Sequence, residues 1–309
     1  MGGRQPALGL LGQDPQVNRA TAGPLAALAL VAGLAGCQQD PTPTTGPTPA
    51  PSEASSGPSN GPTTGPPSST AEPAPALARP KAGACYRLSY DAALAPTNES
   101  RSVSCPKGHN ARTFHVGTLR TVVDGHLLAV DSRRVRAQPA TECPKRVGTF
   151  LGGSPDDLRL SMLRTVWFSP TVEASDAGEH WFRCDVVALA APEELAPLSG
   201  VLRGVLGTDR GRTRFGTCGT AKPGTEGFRR VICSRPHSWR AVETVDVGPA
   251  AGGGYPGKAA AQSAGESRCE DVGRERADDA LSFSWGYEWP TEAQWDGGQR
   301  YGLCWVPTG

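Results

Sequence analysis

Apolar and polar positions along residues 81–309 follow a pattern that changes period and then starts again. Residues 85–88, 102–105 and 113–119 carry short, alternating apolar runs, as half-buried strands do. Around Ala140, Cys143 and Val147 the apolar spacing becomes helical. Thr141 is placed to cap that helix, with Pro144 in its first turn, where a missing N–H is tolerated. Residues 158–168 and 181–189 return to strand patterning. A joining segment, 192–214, follows, with a turn predicted at 193–198 and a loop at 207–212. The succession then recurs. Residues 228–233 and 239–247 read as strands and 252–257 as a turn cluster. Residues 258–272 read as an Ala-rich helix with Ala261, Gly265, Cys269 and Val272 near one face. Residues 281–285 and 300–306 read as closing strands. Both halves run strands, helix, strands. The fold class is therefore α+β: two tandem small domains, each an antiparallel sheet with one packed helix.

The halves also match residue by residue. Pro170 to Cys184 spans the same distance as Pro290 to Cys304, with Thr171 answering Thr291 and Trp181 answering Tyr301. Val103-Ser-Cys105-Pro-Lys-Gly-His109 answers Val231-Ile-Cys233-Ser-Arg-Pro-His237, and Cys143 answers Cys269. Fixed-order recurrence of this kind marks an internal duplication. It places one copy at residues 81–206 and the other at 207–309, each with four cysteines: Cys85, Cys105, Cys143 and Cys184, then Cys218, Cys233, Cys269 and Cys304. In an exported chain these read as a disulfide framework. Bonds kept within a copy leave three pairings per copy. First with second and third with fourth is the expected one, because the first pair joins neighbouring strands across a polar loop and the second staples the helix to the last strand. Each such bond stabilises by about 3–4 kcal/mol on the loop-entropy account.

The ninth cysteine, Cys37, stands apart. It follows a short apolar run from Pro24, with Arg19 ahead, and Leu34-Ala35-Gly36-Cys37 resembles the lipobox of bacterial lipoproteins. Residues 1–36 then form a signal peptide and Cys37 takes the lipid. An anchor of two or three acyl chains holds a protein at the outer face of the plasma membrane. Residues 37–80 form the stalk. Twelve of residues 38–80 are proline and most of the others are small or polar, too little apolar surface to offset ordering entropy. The stalk is expected to be disordered.

Charge changes the picture by exclusion. The chain carries a net charge of +1, and removal of residues 1–36 takes away Arg4, Arg19 and Asp14, leaving 29 basic and 29 acidic residues. Without a basic stripe, nucleic acid is not an expected partner. No catalytic constellation is expected: there is no His-Glu-x-x-His. Cys105 with His109, and Cys233 with His237, have the short spacing of zinc sites. The remaining cysteines are isolated, so no metal and no cofactor is expected. The plain alternative for both histidines is a turn residue bonded to local backbone. Trp285, Tyr287, Trp289 and Trp295 crowd together near Tyr255 and Tyr301. With His237, the residues Tyr255, Trp285, Trp289, Trp295 and Tyr301 are candidate ligand contacts, through stacking on a sugar or a protein partner. Packing against the helix is the alternative.

The second copy resembles the actinobacterial septum-formation domain family. The resemblance rests on Gly216-Thr-Cys218, Val231-Ile-Cys233-Ser-Arg-Pro-His237, Tyr255-Pro-Gly257, Cys269, Trp289-Pro290, Trp295-Asp-Gly-Gly-Gln-Arg300 and Cys304. The first copy matches through Gly83-Ala-Cys85, Val103-Ser-Cys105, His109, Cys143, Pro170 and Cys184. It lacks the Tyr-Pro-Gly and has Gly108 where the second copy has Pro236. The resemblance implies an exported or membrane-attached protein with a role in cell division, and brings no reaction, cofactor or catalytic residue with it. The expected function is a lipid-anchored, non-enzymatic envelope protein whose two domains bind a cell-wall polymer or a division or wall-synthesis protein. The alternatives are a wall-modifying hydrolase with acidic catalytic groups and a purely structural spacer.

Overall fold

The computed structural model describes residues 79–309, which lie within one compact unit. The lipidation site Cys37, the signal peptide and all but the last two residues of the stalk fall outside the described residues. The first half holds strands β1 (Cys85–Tyr86), β2 (Ala111–Thr118), β3 (Val122–Val123), β4 (His126–Leu127), β5 (Leu163–Phe168), β6 (Trp181–Ala191) and β7 (Glu194–Ala196). Its helices are α1 (Tyr90–Leu94), α2 (Arg133–Leu151), α3 (Pro155–Arg159) and α4 (Val172–Asp176). The second half holds α5 (Asp209–Phe215), β8 (Thr217–Gly219), β9 (Arg230–Ile232), β10 (Trp239–Asp246), α6 (Lys258–Ser263), α7 (Glu266–Glu275), β11 (Gly286–Glu288), α8 (Glu292–Asp296) and β12 (Tyr301–Pro307). Among the described residues, no helix is long and apolar enough to cross a membrane.

Two antiparallel sheets result. One runs β1-β2-β6-β5 with β7 added to β6, and the other runs β9-β8-β10-β12-β11. Taken strand for strand, β1-β2-β6-β5 and β8-β10-β12-β11 are the same order. The register agrees as well. β2 bulges between Thr113 and His115, placing His115 opposite Cys184; β10 bulges between Ala241 and Glu243, placing Glu243 opposite Cys304. The disulfides are Cys85–Cys105, Cys143–Cys184, Cys218–Cys233 and Cys269–Cys304. The first bond ties edge strand β1 to the loop after it in the first copy, and β8 to the end of edge strand β9 in the second; in each copy the second bond ties a helix to an inner strand, α2 to β6 and α7 to β12.

Several local expectations fail for physical reasons. Residues 102–105 form only an isolated bridge, Cys85 with Val103, followed by a 3-10 turn at Cys105–Lys107. The disulfide, more than a ladder, holds that segment. Thr141 does not cap a helix; it sits inside α2, where its hydroxyl donates to the Ala137 carbonyl at 2.8 Å. α2 begins after Ser132 and carries both Pro139 and Pro144. An interior proline costs roughly 3 kcal/mol. Here Val135, Pro139, Cys143, Val147 and Leu151, at four-residue intervals, bury one continuous face that offsets it. The Ala-rich helix is broken into α6 and α7 at Gly265, where a Cβ would meet the Tyr287 ring at 2.4 Å. Residues 281–285 are not a strand, because the outer ladder of β12 is taken by Gly286–Glu288. Residues 207–212 are not simply loop: Thr208 caps α5 by accepting from the Gly211 N–H at 3.1 Å, and Phe215 buries the helix.

The copies meet through a shared core. Phe215 and Ile232 of the second pack with Leu163, Val186, Ala188 and Leu202 of the first. Backbone bonds cross between them, from Met162 N to Phe215 O at 2.7 Å and from Thr217 N to Leu160 O at 2.8 Å. β6 lies at the centre and is buried on both faces from Trp181 to Ala190.

Candidate functional site

The aromatic residues that crowd together in sequence separate in space. Trp295, on α8, is 2% exposed, and the Tyr255 ring meets it edge-on at 5.8 Å. The Tyr255 hydroxyl donates to the Pro290 carbonyl at 3.0 Å, and burial, with Glu292 nearby, raises its pKa. Trp289 packs beside Tyr287, with centroids 6.1 Å apart. The Arg300 guanidinium covers Trp295 at 4.0 Å. Tyr255, Trp289 and Trp295 thus form one packed corner with Val247 and Ala261. Trp285 lies outside β11 and covers Gly273 on α7. Tyr301 faces the opposite side of its sheet, under Arg159 at 4.7 Å. His237 stands in the turn before β10, its Nδ1 2.6 Å from the Arg235 carbonyl oxygen. His109 is buried, with Nδ1 3.1 Å from the Cys105 carbonyl oxygen. Cys105 and Cys233 are both bonded to other cysteines, and among the described residues no group of three or more His, Cys, Asp or Glu is arranged to hold a metal.

A different place is concave. A groove of about 370 Å³ opens on the first copy. Its walls are Ala82 and Gly83 ahead of β1, the β2 residues from Arg112 to Phe114, Phe150 at the end of α2, and residues 201–203. The β2 bulge decides which way Phe114 points, since it is the extra residue on the bulged strand. Phe114 stacks on Phe150, with centroids 5.3 Å apart and planes 27° apart. Leu202 is buried in the shared core and anchors the far wall, leaving Val201, 76% exposed, and Arg203 at the lip. That wall lies tight on the end of α2. Gly204 N donates to the Phe150 carbonyl at 2.9 Å, and Gly152 (φ +70°) leaves only 3.0 Å between a would-be Cβ and the Gly204 backbone.

Two cations frame the groove. The Arg203 guanidinium lies 5.0 Å from the Phe150 centroid. Half-buried Arg112 uses one donor weakly, Nη1 to the Gly200 carbonyl at 3.4 Å. Among the described residues neither arginine has a carboxylate within ion-pair distance. The lining contains no carboxylate, histidine or cysteine. On the reverse face of β2 and β6 lies a polar cluster. Arg183 Nε is 3.2 Å from Asp185 Oδ2, and the Thr113 hydroxyl donates to Asp185 Oδ1 at 2.6 Å. The Arg183 guanidinium is held between Tyr86 (3.8 Å) and Phe168 (4.6 Å), with Nη2 donating to Asn98 at 2.9 Å. Burial pushes the Asp185 carboxyl up, against the pull of Arg183 and the Thr113 hydroxyl.

One family model, described as septum formation, matches residues 82–275. The chain belongs to the septum-formation family. Membership points to a role in septum formation or cell division. The match runs through the whole first copy, the groove included, and into the second as far as the end of α7. No curated protein and no solved structure matched the chain in the other comparisons. Sequence reasoning missed the groove, and one signal could have shown part of it. Counting three residues on from His109 and from His237 gives Arg112 and Arg240, an arginine at the same place in both copies. Phe150 and Arg203 carry no comparable signal, because only the fold brings them to β2.

Proposed function

We propose that this septum-formation protein is a non-catalytic binding protein of the outer face of the plasma membrane, anchored through Cys37. Its two stapled copies are carried on the stalk, where they engage the wall or its assembly machinery during septation. The observation that carries this reading is the groove. It offers cationic and aromatic contacts, its lining carries no carboxylate, histidine or cysteine, and the Thr113 hydroxyl is committed to Asp185 on the reverse face. Family membership supports the septal part, and four disulfides suit an oxidising compartment. The test is localisation. The chain is tagged at its C-terminus with an export-competent fluorophore, and wild type is compared with Cys37→Ala through the division cycle. Septal enrichment that depends on Cys37 is the expected result. A uniform envelope signal, or turnover of purified wall polymer by the protein, would overturn the reading.

A further inference from the structure

We propose that the groove on the first copy binds an anionic sugar, a single pyranose ring bearing a carboxylate or a phosphate. This rests on the binding reading above and gives it a ligand class.

Size, wall and charge each narrow the choice. At about 370 Å³ the groove lies near the lower end of small-ligand sites, roughly 300–1,000 Å³. It therefore accommodates one ring with a substituent. Its apolar wall is the stacked pair Phe114 and Phe150, both half-buried, with exposed Val201 beside it, against which the C–H groups of a sugar can pack. Arg203 rests on Phe150, so the ring orients a flat guanidinium whose N–H edges remain available. Arg112 is half-buried and strongly committed to nothing. Two guanidiniums without carboxylate partners, opening on an apolar wall, are complementary to an oxyanion, and Arg pairs carboxylate and phosphate equally well through bidentate bonds.

The second copy shows what removes such a site. Arg240 occupies the register of Arg112: it pairs with Cys218 as Arg112 pairs with Cys85. Like Arg112, Arg240 makes one long bond to a backbone carbonyl, that of Arg212 on α5, at 3.4 Å, so the arginine itself does not distinguish the copies. Seven residues beyond the helix cysteine, the first copy has Phe150 and the second has Arg276. Arg276 puts a second positive charge near Arg240 where the first copy has an aromatic ring, so the second copy keeps the charge and lacks the apolar wall. The site therefore belongs to the first copy.

The test is calorimetric titration of the full chain, with all four disulfides intact, using four probes. These are N-acetylmuramic acid (carboxylate), N-acetylglucosamine 6-phosphate, neutral N-acetylglucosamine and inorganic phosphate. The acidic sugars are expected to bind about tenfold or more tightly than the neutral one. Whichever acidic sugar binds more tightly identifies the oxyanion. Arg203→Gln and Arg112→Gln should each weaken acidic-sugar binding about tenfold. Arg240→Gln should leave it unchanged. Arg203 is exposed, so its variant tests binding without disturbing the core. Equal affinity for neutral and acidic sugars, inorganic phosphate binding as tightly as the sugar phosphate, indifference to Arg203→Gln, or no binding of either acidic sugar would overturn the inference. A septal signal alongside any of those results would leave the localisation reading standing, and a uniform signal alongside acidic-sugar binding would leave the groove standing.

Discussion

The two copies share a frame and enclose different chemistry. On the sheet face that turns away from the helix disulfide, the first copy buries Arg183 (2% exposed) against Asp185 (0% exposed), with Thr113 beside them. At the matching positions the second copy has Leu303, Trp305 and Ala241, packed with Phe228. Asp185 stands opposite Val166, while the large Trp305 ring stands opposite Gly286. Strand order, bulge and disulfides agree between the two, so the frame does not dictate what fills it. A buried ion pair must recover the cost of leaving water through attraction and hydrogen bonds, whereas apolar side chains of similar volume have no such cost. One fold therefore supports both solutions, and they differ in how they fail.

The largest break in that comparison should come from Asp185→Ala. It leaves a buried guanidinium without its counter-ion and is expected to cost about 3–5 kcal/mol in urea unfolding with disulfides intact. The double variant Arg183→Met/Asp185→Leu imitates the second copy and should regain most of that loss. If the double variant is as unstable as the single one, the two faces are not interchangeable solutions. A smaller contrast concerns the staples. Opening Cys143–Cys184, with a sequence separation of 41, should cost about 1 kcal/mol more than opening Cys218–Cys233, with a separation of 15. Paired Cys→Ala variants compared by denaturant midpoint measure it, and a reversed order would show that native packing outweighs loop length.

The smallest contrast is a titration at a position where the first copy has no ionisable side chain. Tyr287 stands opposite Cys304 where the first copy has Trp167 opposite Cys184. Burial pushes the Tyr287 phenol up to about 12, and its hydroxyl donates to the Ala261 carbonyl at 3.1 Å. The unfolded chain ionises near 10. The folded state binds the extra proton between those values, so the stabilisation is complete below about 10 and is lost as pH rises through about 12. Tyr287→Phe should lose about 1 kcal/mol at neutral pH, as one hydrogen bond, and should flatten the alkaline fall in stability. Melting followed from pH 8 to 11 measures both effects. An alkaline slope unchanged in Tyr287→Phe would place the titration elsewhere.

Much of the frame was legible because it is written in local signals. Cysteines recur in fixed order, apolar positions change period together in both halves, and β2, β6, β10 and β12 lie where alternation places them. The cysteine order also pointed to the pairing, since loops between neighbouring strands are short and a helix must be tied to something. The candidate groove was not legible. Arg112 left a trace as the counterpart of Arg240, but Phe150 meets Phe114 on β2 only because α2 packs on the sheet. Reading a helix start at Thr141 treated proline as a boundary. The buried stripe from Val135 to Leu151 overrides that preference, and only the sheet beneath it supplies the burial.

By itself the sequence determined the recurrence of four cysteines in each half, the α+β class and the family, because each depends on residue type at a fixed spacing; among the three pairings open to each half, the structure decided. Tertiary structure alone decided which aromatics became core, which arginines were left without counter-ions and where a groove remained open. Those outcomes depend on which segment covers which face. The segment 200–203 meets Arg112 beside Phe150, whereas α5 meets Arg240 beside no aromatic ring at that place, so two copies with one register carry different surfaces.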